Sequence, residues 1–87
     1  MADKREISVD ECEPKPDQQR KIFDPAGLLE LGNNLLAFGQ LLPVIVYFLQ
    51  ATKQYILLDG ERRWRAAKLV GIKHLIAFVL DREPTAA

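Results

Sequence analysis

Several kinds of residue are scarce in this sequence, and each scarcity argues against a class of site. The 87 residues include one cysteine, Cys12, which cannot form a disulfide within the chain and has no His or Cys neighbour at metal-binding spacing. We interpret Cys12 as an incidental exposed thiol in a reducing compartment. The one histidine, His74, has no serine or acid partner in a triad pattern and is expected to be structural or exposed. Glycine-rich loops of the Walker or dinucleotide-binding type are also missing.

Neither a long apolar run nor an excess of one charge is present. The N-terminal segment MADKREISVDE is polar, and the longest apolar run, 41–49, is interrupted by Pro43 and is too short to span a membrane. We therefore expect a cytoplasmic protein without a membrane partner. Twelve Lys and Arg residues balance twelve Asp and Glu residues. This balance argues against a protein that coats nucleic acid over its whole surface, so any anion site must be local.

The pattern of apolar residues predicts the order helix, strand, strand, helix, strand. Asp24-Pro25 is a strong helix start, because Asp accepts bonds from free N–H groups and Pro is favoured at the first helical position. Gly32 inside this helix, which ends at Gly39, indicates either close packing or local weakness. The other predicted elements are strands at 44–49, 55–58 and 75–80 and a helix at 61–70.

This order predicts a small α+β domain with a short mixed sheet and two main helices. The helix at 61–70 is long enough for a crossover that makes the strands on either side of it a parallel pair. We divide the chain into a flexible N-terminal lead-in (1–13), the domain itself (14–81) and a polar tail (82–87). As an alternative for part of the lead-in, Ile7 and Val9 are candidates for a short edge strand.

The stretch LDGERRWRAA, residues 58–67, places three arginines and a glutamate directly after a glycine. Gly60 stands between a strand end and a helix start, where free N–H groups and the helix dipole favour an anion. By helical phase, Arg63 falls on the inward, apolar side of the helix, whereas Glu61 and Arg65 form a supporting i, i+4 pair. From the residues alone, two interpretations stay open: an ordinary charged helix start, or an anion site.

Two further residues belong to this interpretation. Arg20 follows a Pro-rich segment and is a second candidate for the same cleft, the alternative being a solvated loop arginine. Trp64 has its own side of the helix and is expected to pack against a neighbouring element.

Three segments, in the same order, resemble the N-terminal domain of ParB-type partition proteins, which has the ParB/sulfiredoxin-like fold. PKPDQQRKIFD resembles the family's opening box, and LLELGNNLLAFGQLLPVIV resembles its helix, glycine, proline and strand. YILLDGERRWRAAKLVGIKHLIAFV resembles the Gly-Glu-Arg-Arg box with its helix and next strand. The resemblance covers most of 14–81.

In this family the Gly-Glu-Arg-Arg box binds nucleotide phosphates, and many members bind and hydrolyse CTP. The resemblance therefore implies a CTP-binding module, with Mg²⁺ as the accompanying ion, in a bacterial DNA partition protein or a related regulator. It implies that Gly60 allows close backbone approach and that Arg62 and Arg63 hold the triphosphate. It also places Glu61 near the metal or the attacking water, as the candidate catalytic residue.

Gln18 and Arg20 match the opening-box residues that close over the nucleotide. Two positions depart from the family pattern: Gln19 stands where a proline is usual, and Leu42 stands where a Gln commonly precedes the proline. Sulfiredoxins need a cysteine beside the glycine, where this chain has Glu61.

The family's later Glu-Asn-containing box, its helix-turn-helix and its dimerising segment have no counterpart in the 87 residues. Whether the chain hydrolyses CTP therefore stays open, and DNA contact is expected only through missing or separate domains. A protein partner, either a partition ATPase or a second copy, is the other expected contact. Two alternative functions are a degenerate ParB-like domain that binds a protein and no nucleotide, and a ParB-like nuclease or nonspecific DNA-binding domain.

Overall fold

The predicted helices and strands are all present in the computed structural model, which describes residues 3–15 and 23–84. Two additional strands lie near the N-terminus. The elements are β1 (Asp3–Ser8), a short 3₁₀ turn (Val9–Glu11), β2 (Cys12–Pro14), α1 (Pro25–Phe38), β3 (Val44–Leu49), β4 (Gln54–Asp59), α2 (Glu61–Leu69) and β5 (His74–Leu80). The α+β class with a mixed sheet and two helices is confirmed.

The five strands form one sheet in the order β1-β5-β3-β4-β2. β3 and β4 are an antiparallel hairpin, and β5 runs parallel to β3. The predicted parallel pair of the strands at 55–58 and 75–80 is therefore wrong. One edge of β4 pairs with β3, and the other pairs in parallel with β2. After β4, the chain therefore passes through α2 to the other side of β3, where β5 pairs.

The N-terminal segment differs from the predicted flexible lead-in over the described residues. β1 pairs along its whole length with β5, and both Ile7 and Val9 are buried in the core. The edge-strand alternative is correct for Ile7, which lies in β1, because β5 supplies a complete ladder for a strand with few apolar residues of its own. Val9 lies in the 3₁₀ turn that follows. The boundary of the polar tail at residue 82 stays a prediction.

Cys12 corrects a second prediction, since its thiol is buried and not exposed. Pairing of β2 with β4 turns Cys12 into the core, and its Sγ donates a hydrogen bond to the Ser8 carbonyl at 3.3 Å. Burial, with a smaller contribution from the Glu11 carboxylate, raises the pKa of this thiol to about 12. Cys12 is thus a core residue with an inert thiol.

Helix α1 begins as predicted and packs on α2. The Asp24 carboxylate accepts hydrogen bonds from the N–H groups of Ala26 and Gly27, both at 3.3 Å. At Gly32 the structure has close packing, because a Cβ there would lie 2.6 Å from Val70 Cγ1 and 2.8 Å from the Ala66 carbonyl oxygen. Neither helix in the described part of the chain is long and apolar enough to cross a bilayer.

Helix α2 packs into the hydrophobic core through Trp64 and Ala67. Trp64 is 5% exposed, and its Nε1 donates to the Val9 carbonyl at 3.0 Å. Ala66 and Ala67 are fully buried. The predicted packing of Trp64 is confirmed, and its hydrogen bond joins α2 to the 3₁₀ turn that follows β1.

Candidate functional site

The candidate site is the N-terminus of α2, which directly follows β4 and a single linking glycine. Gly60 has a φ of 100° and is the N-cap of α2, and as a glycine it has no side chain to cap the first turn of the helix. By contrast, Asp24 caps α1. The first N–H groups of α2 therefore keep their capacity to bind an oxygen ligand.

The need for glycine at position 60 has a structural cause within the fold. A Cβ at Gly60 would lie 2.6 Å from Val44 Cγ1 and 3.3 Å from Val44 Cα. The positive φ is also a conformation that residues with a side chain rarely adopt. Gly60 thus allows α2 to start directly against β3, whatever ligand binds there.

Arg62 lies over the first turn of α1. A Cβ at Gly27 would be 3.1 Å from Arg62 Nη2 and 3.4 Å from Asp24 Oδ2. The Arg62 side chain is exposed, and no described carboxylate lies within ion-pair distance of it. In the described part of the chain, the Arg62 guanidinium group therefore has no ion-pair partner.

Arg63 points towards the opposite end of α1. It is half-buried and lines an open groove of about 430 Å³. The apolar residues of this groove are Leu31, Leu35, Phe38, Leu41 and Leu42. Like Arg62, Arg63 has no ion-pair partner among the described residues. An unpaired guanidinium against an apolar wall attracts an anion more strongly than one in open water, because the local dielectric constant is lower.

Glu61 and Arg65 form the predicted i, i+4 pair. Glu61 Oε2 accepts from Arg65 Nε at 3.0 Å and lies 2.9 Å from Arg65 Nη2. The Glu61 side chain is 11% exposed, and the Arg65 guanidinium also lies 4.7 Å from the centre of the Phe23 ring. The support role of this pair is confirmed, whereas a catalytic role of Glu61 stays a prediction.

The described residues do not provide a cage for a metal ion. No group of three or more His, Cys, Asp or Glu residues comes together in residues 3–15 and 23–84. The carboxylate at the site, that of Glu61, is engaged by Arg65.

Two predicted site residues, Gln18 and Arg20, lie outside the described residues. The nearest described position on their C-terminal side is Phe23, whose ring packs on Arg65 of α2. Their proposed contacts with the nucleotide remain predictions.

Sequence reasoning missed one residue that the structure brings to the edge of the site. The Gln40 side chain makes three hydrogen bonds, to the Leu42 carbonyl and to both backbone groups of Ile76. The one feature of the sequence that could have indicated a role for Gln40 is its polar side chain between Phe38-Gly39 and Leu41-Leu42.

Positive charge is concentrated on α2 although the chain as a whole is neutral. α2 carries four basic residues and one acid, a net charge of +3. The fold and this arginine-rich, uncapped helix start define a class of small α+β domains with a candidate anion site at a helix N-terminus.

Comparison with known proteins identifies the family. The model of the ParB N-terminal domain matches residues 1–87, and the chain belongs to the ParB N-terminal domain family. The probable chromosome-partitioning protein ParB of Campylobacter jejuni is 43% identical over 75 residues, which are 86% of this chain and 26% of that protein. The chain therefore spans about a quarter of the length of the curated relatives it matches.

Two solved structures of the chromosome-partitioning protein ParB from Caulobacter crescentus, truncated at the C-terminus, resemble the chain closely. The complex with CTP-gamma-S has a TM-score of 0.82 and 33% identity, and the match covers 93% of this chain and 46% of that one. The complex with the centromeric parS site has a TM-score of 0.75 and 32% identity over 91% of this chain and 40% of that one. Sulfiredoxin from Arabidopsis thaliana, with a TM-score of 0.74 and 17% identity over 88% of this chain and 83% of its own, shares the fold.

Proposed function

We propose that the chain is the nucleotide-binding module of a chromosome-partitioning protein and that it binds the triphosphate of CTP at the N-terminus of α2. The observation that carries this proposal is the start of α2 at Gly60, a cap without a side chain, flanked by two arginines that have no charge partner among the described residues. The similarity to a ParB protein in complex with CTP-gamma-S supports the choice of nucleotide.

The three parts of the site have different tasks in this proposal. The first N–H groups of α2 donate to phosphate oxygens, with the positive end of the helix dipole behind them. Arg62 holds the outer phosphates at the exposed mouth, where its contribution is screened by salt. Arg63, half-buried beside the leucines of the groove, provides the stronger bidentate contact.

Mg²⁺ bound with the nucleotide would neutralise part of the phosphate charge. Both Arg65 nitrogens lie on Glu61 Oε2, so Oε1 is the oxygen outside this ion pair and the one that would act as a general base. We therefore propose binding as the function of the described site, with Glu61 as the candidate for a hydrolytic step. DNA contact is proposed to come from the parts of the relatives that this chain does not cover.

Titration of isotope-labelled protein with CTP, ATP and GTP in the presence of Mg²⁺ tests the proposal. Amide signals of 60–65 are expected to shift, most strongly with CTP. Arg63→Ala is expected to weaken binding by about tenfold to a hundredfold, since hydrogen bonds to charged groups contribute about 1.5–3 kcal/mol.

Lys68→Ala is the matched control, because it removes one charge from the same helix at an exposed position away from the groove. Its affinity is expected to stay within about twofold of the wild type. The absence of shifts at 60–65 with every nucleotide would contradict the proposal.

A second candidate function, protein binding without nucleotide, is favoured by the apolar surface at the end of α1. Leu36, Phe38, Leu41 and Leu42 are 59%, 76%, 85% and 63% exposed. Contiguous apolar exposure of this kind marks interaction surfaces. A second copy of the chain is the occupant to test first, by sedimentation velocity over a range of concentrations without nucleotide. A monomer at every concentration would exclude self-association as that function.

A further inference from the structure

The Gln40 side chain makes the hydrogen bonds with β5 that a longer β3 would otherwise make. Its Nε2 donates to the Ile76 carbonyl at 2.9 Å, and its Oε1 accepts from the Ile76 N–H at 2.7 Å. The pairing of β3 with β5 begins only one residue later, at Val44 and Ala77. The amide group of Gln40 therefore continues the β5 ladder at a point that β3 does not reach.

The same amide also fixes its own loop. Gln40 Nε2 donates to the Leu42 carbonyl at 2.9 Å, so both N–H groups of the side chain have acceptors. A side-chain amide has two donors and a carbonyl acceptor, and here each kind is used. Gln40 thus joins the loop at 39–43 to β5 in one conformation.

This attachment matters because the loop has little apolar burial to hold it. Leu41 and Leu42 are 85% and 63% exposed, and both line the groove that contains Arg63. Gly39 has a φ of 79°, and a Cβ added at this position would have no neighbouring atom within 4 Å. A loop without buried side chains is ordinarily mobile, so the wall of the groove depends on the bonds of Gln40.

We propose that Gln40 is a positioning residue of the anion site, holding the loop at 39–43 so that the groove around Arg63 keeps a fixed wall. This inference rests on the proposed function, since the site that Gln40 shapes is the one assigned to CTP. Gln40 acts through Leu41 and Leu42 and makes no contact with the ligand itself.

Two substitutions in the full chain test this role. Gln40→Leu keeps the approximate size and removes every hydrogen bond, and it is expected to weaken CTP binding about tenfold, as for the loss of one to two net hydrogen bonds. Gln40→Glu keeps an acceptor for the Ile76 N–H, but its carboxylate has no donor for the two carbonyls. Protonation of that carboxylate restores one donor, so CTP binding by Gln40→Glu is expected to recover as the pH falls.

Gln40→Leu corrects this pH series for the titration of the nucleotide itself, because leucine does not titrate. If Gln40→Leu does not fold, wild-type protein over the same pH range provides the correction. Amide exchange at Ile76 and the Nε–H signal of Arg63 are measured in the free protein as readouts of loop order. Faster exchange at Ile76, together with weakened binding that recovers at low pH in Gln40→Glu, would support the proposal.

The failures are distinguishable. If the wild type binds CTP and Gln40→Leu binds it equally well, the positioning role is wrong while the proposed function stands. If Gln40→Glu and its reference show the same pH dependence, Gln40 is a structural residue only. If the wild type binds no nucleotide, the proposed function is wrong, and the positioning role is wrong with it.

Discussion

Replacement of Gly60 by alanine tests whether this glycine is required by the fold. At a φ of 100°, an alanine costs about 1–2 kcal/mol in backbone energy. The added Cβ would also lie 2.6 Å from Val44 Cγ1, and overpacking of this kind costs about 1–3 kcal/mol. Gly60→Ala is therefore expected to lower the free energy of unfolding by about 2–5 kcal/mol, a large part of the total for a small domain.

Urea denaturation without ligand measures this loss, and Gly71→Ala is its matched control. Gly71 has a φ of 81°, and nothing lies within 4 Å of the position of its Cβ. Because an alanine at position 71 has no steric clash, Gly71→Ala measures the backbone cost of the positive φ alone, which is expected to be about 1–2 kcal/mol. A Val44→Ala background removes the contact with Cγ1 but keeps the Val44 Cβ at 3.0 Å, so the steric cost of Gly60→Ala should become smaller and approach that of its control.

If Gly60→Ala costs no more than Gly71→Ala in the wild-type background, Val44 does not crowd position 60. If Val44→Ala leaves the cost of Gly60→Ala unchanged, the clash is not with that side chain. If the expected loss is found, weaker CTP binding by Gly60→Ala cannot be taken as a sign of ligand contact until stability is corrected for.

Three further predictions concern the core. Trp64→Phe removes the donor to the Val9 carbonyl and is expected to cost about 1–3 kcal/mol in chemical denaturation, whereas a loss under 0.5 kcal/mol would contradict the role of this bond. The pKa of Cys12 is raised from 9.0 to about 12, so its contribution to stability is complete below pH 9 and is lost as the pH rises towards 12, at up to about 1.4 kcal/mol per pH unit. Cys12→Ala is expected to flatten this slope, and an unchanged slope between pH 9 and 11 would assign it to other groups. Gly32→Ala places a Cβ 2.6 Å from Val70 Cγ1 and is expected to lower the thermal midpoint by several degrees, as for a loss of about 1–3 kcal/mol, while an increase would show that α1 is limited by its glycine.

Features that depend on near neighbours in the chain were predictable. The cap at Asp24 and the pair of Glu61 with Arg65 involve residues within four positions of each other, so sequence spacing alone determines whether they can meet. The hairpin of β3 and β4 also needs only a short turn. The family resemblance added the position and chemistry of the candidate site.

Features set by distant pairing were not predictable in the same way. The parallel pairing of β2 with β4 joins Cys12 to Tyr55, and without it Cys12 belongs to a polar segment that gives no reason for burial. The hydrogen bonds of Gln40 join it to a strand that begins at His74. For Gly60 the residue type was recognised, but its neighbour in space, Val44, is fixed by the sheet order and not by the motif.

The shielded thiol of Cys12 has a practical consequence for labelling. Because burial raises the pKa of this thiol to about 12, its thiolate fraction at pH 7.5 is far smaller than that of an ordinary exposed cysteine. A cysteine introduced at an exposed position such as Leu41 would therefore react with a maleimide dye well before the native residue does. The wild-type background can thus serve directly for fluorescence measurements of the groove, with no need to replace a core side chain first.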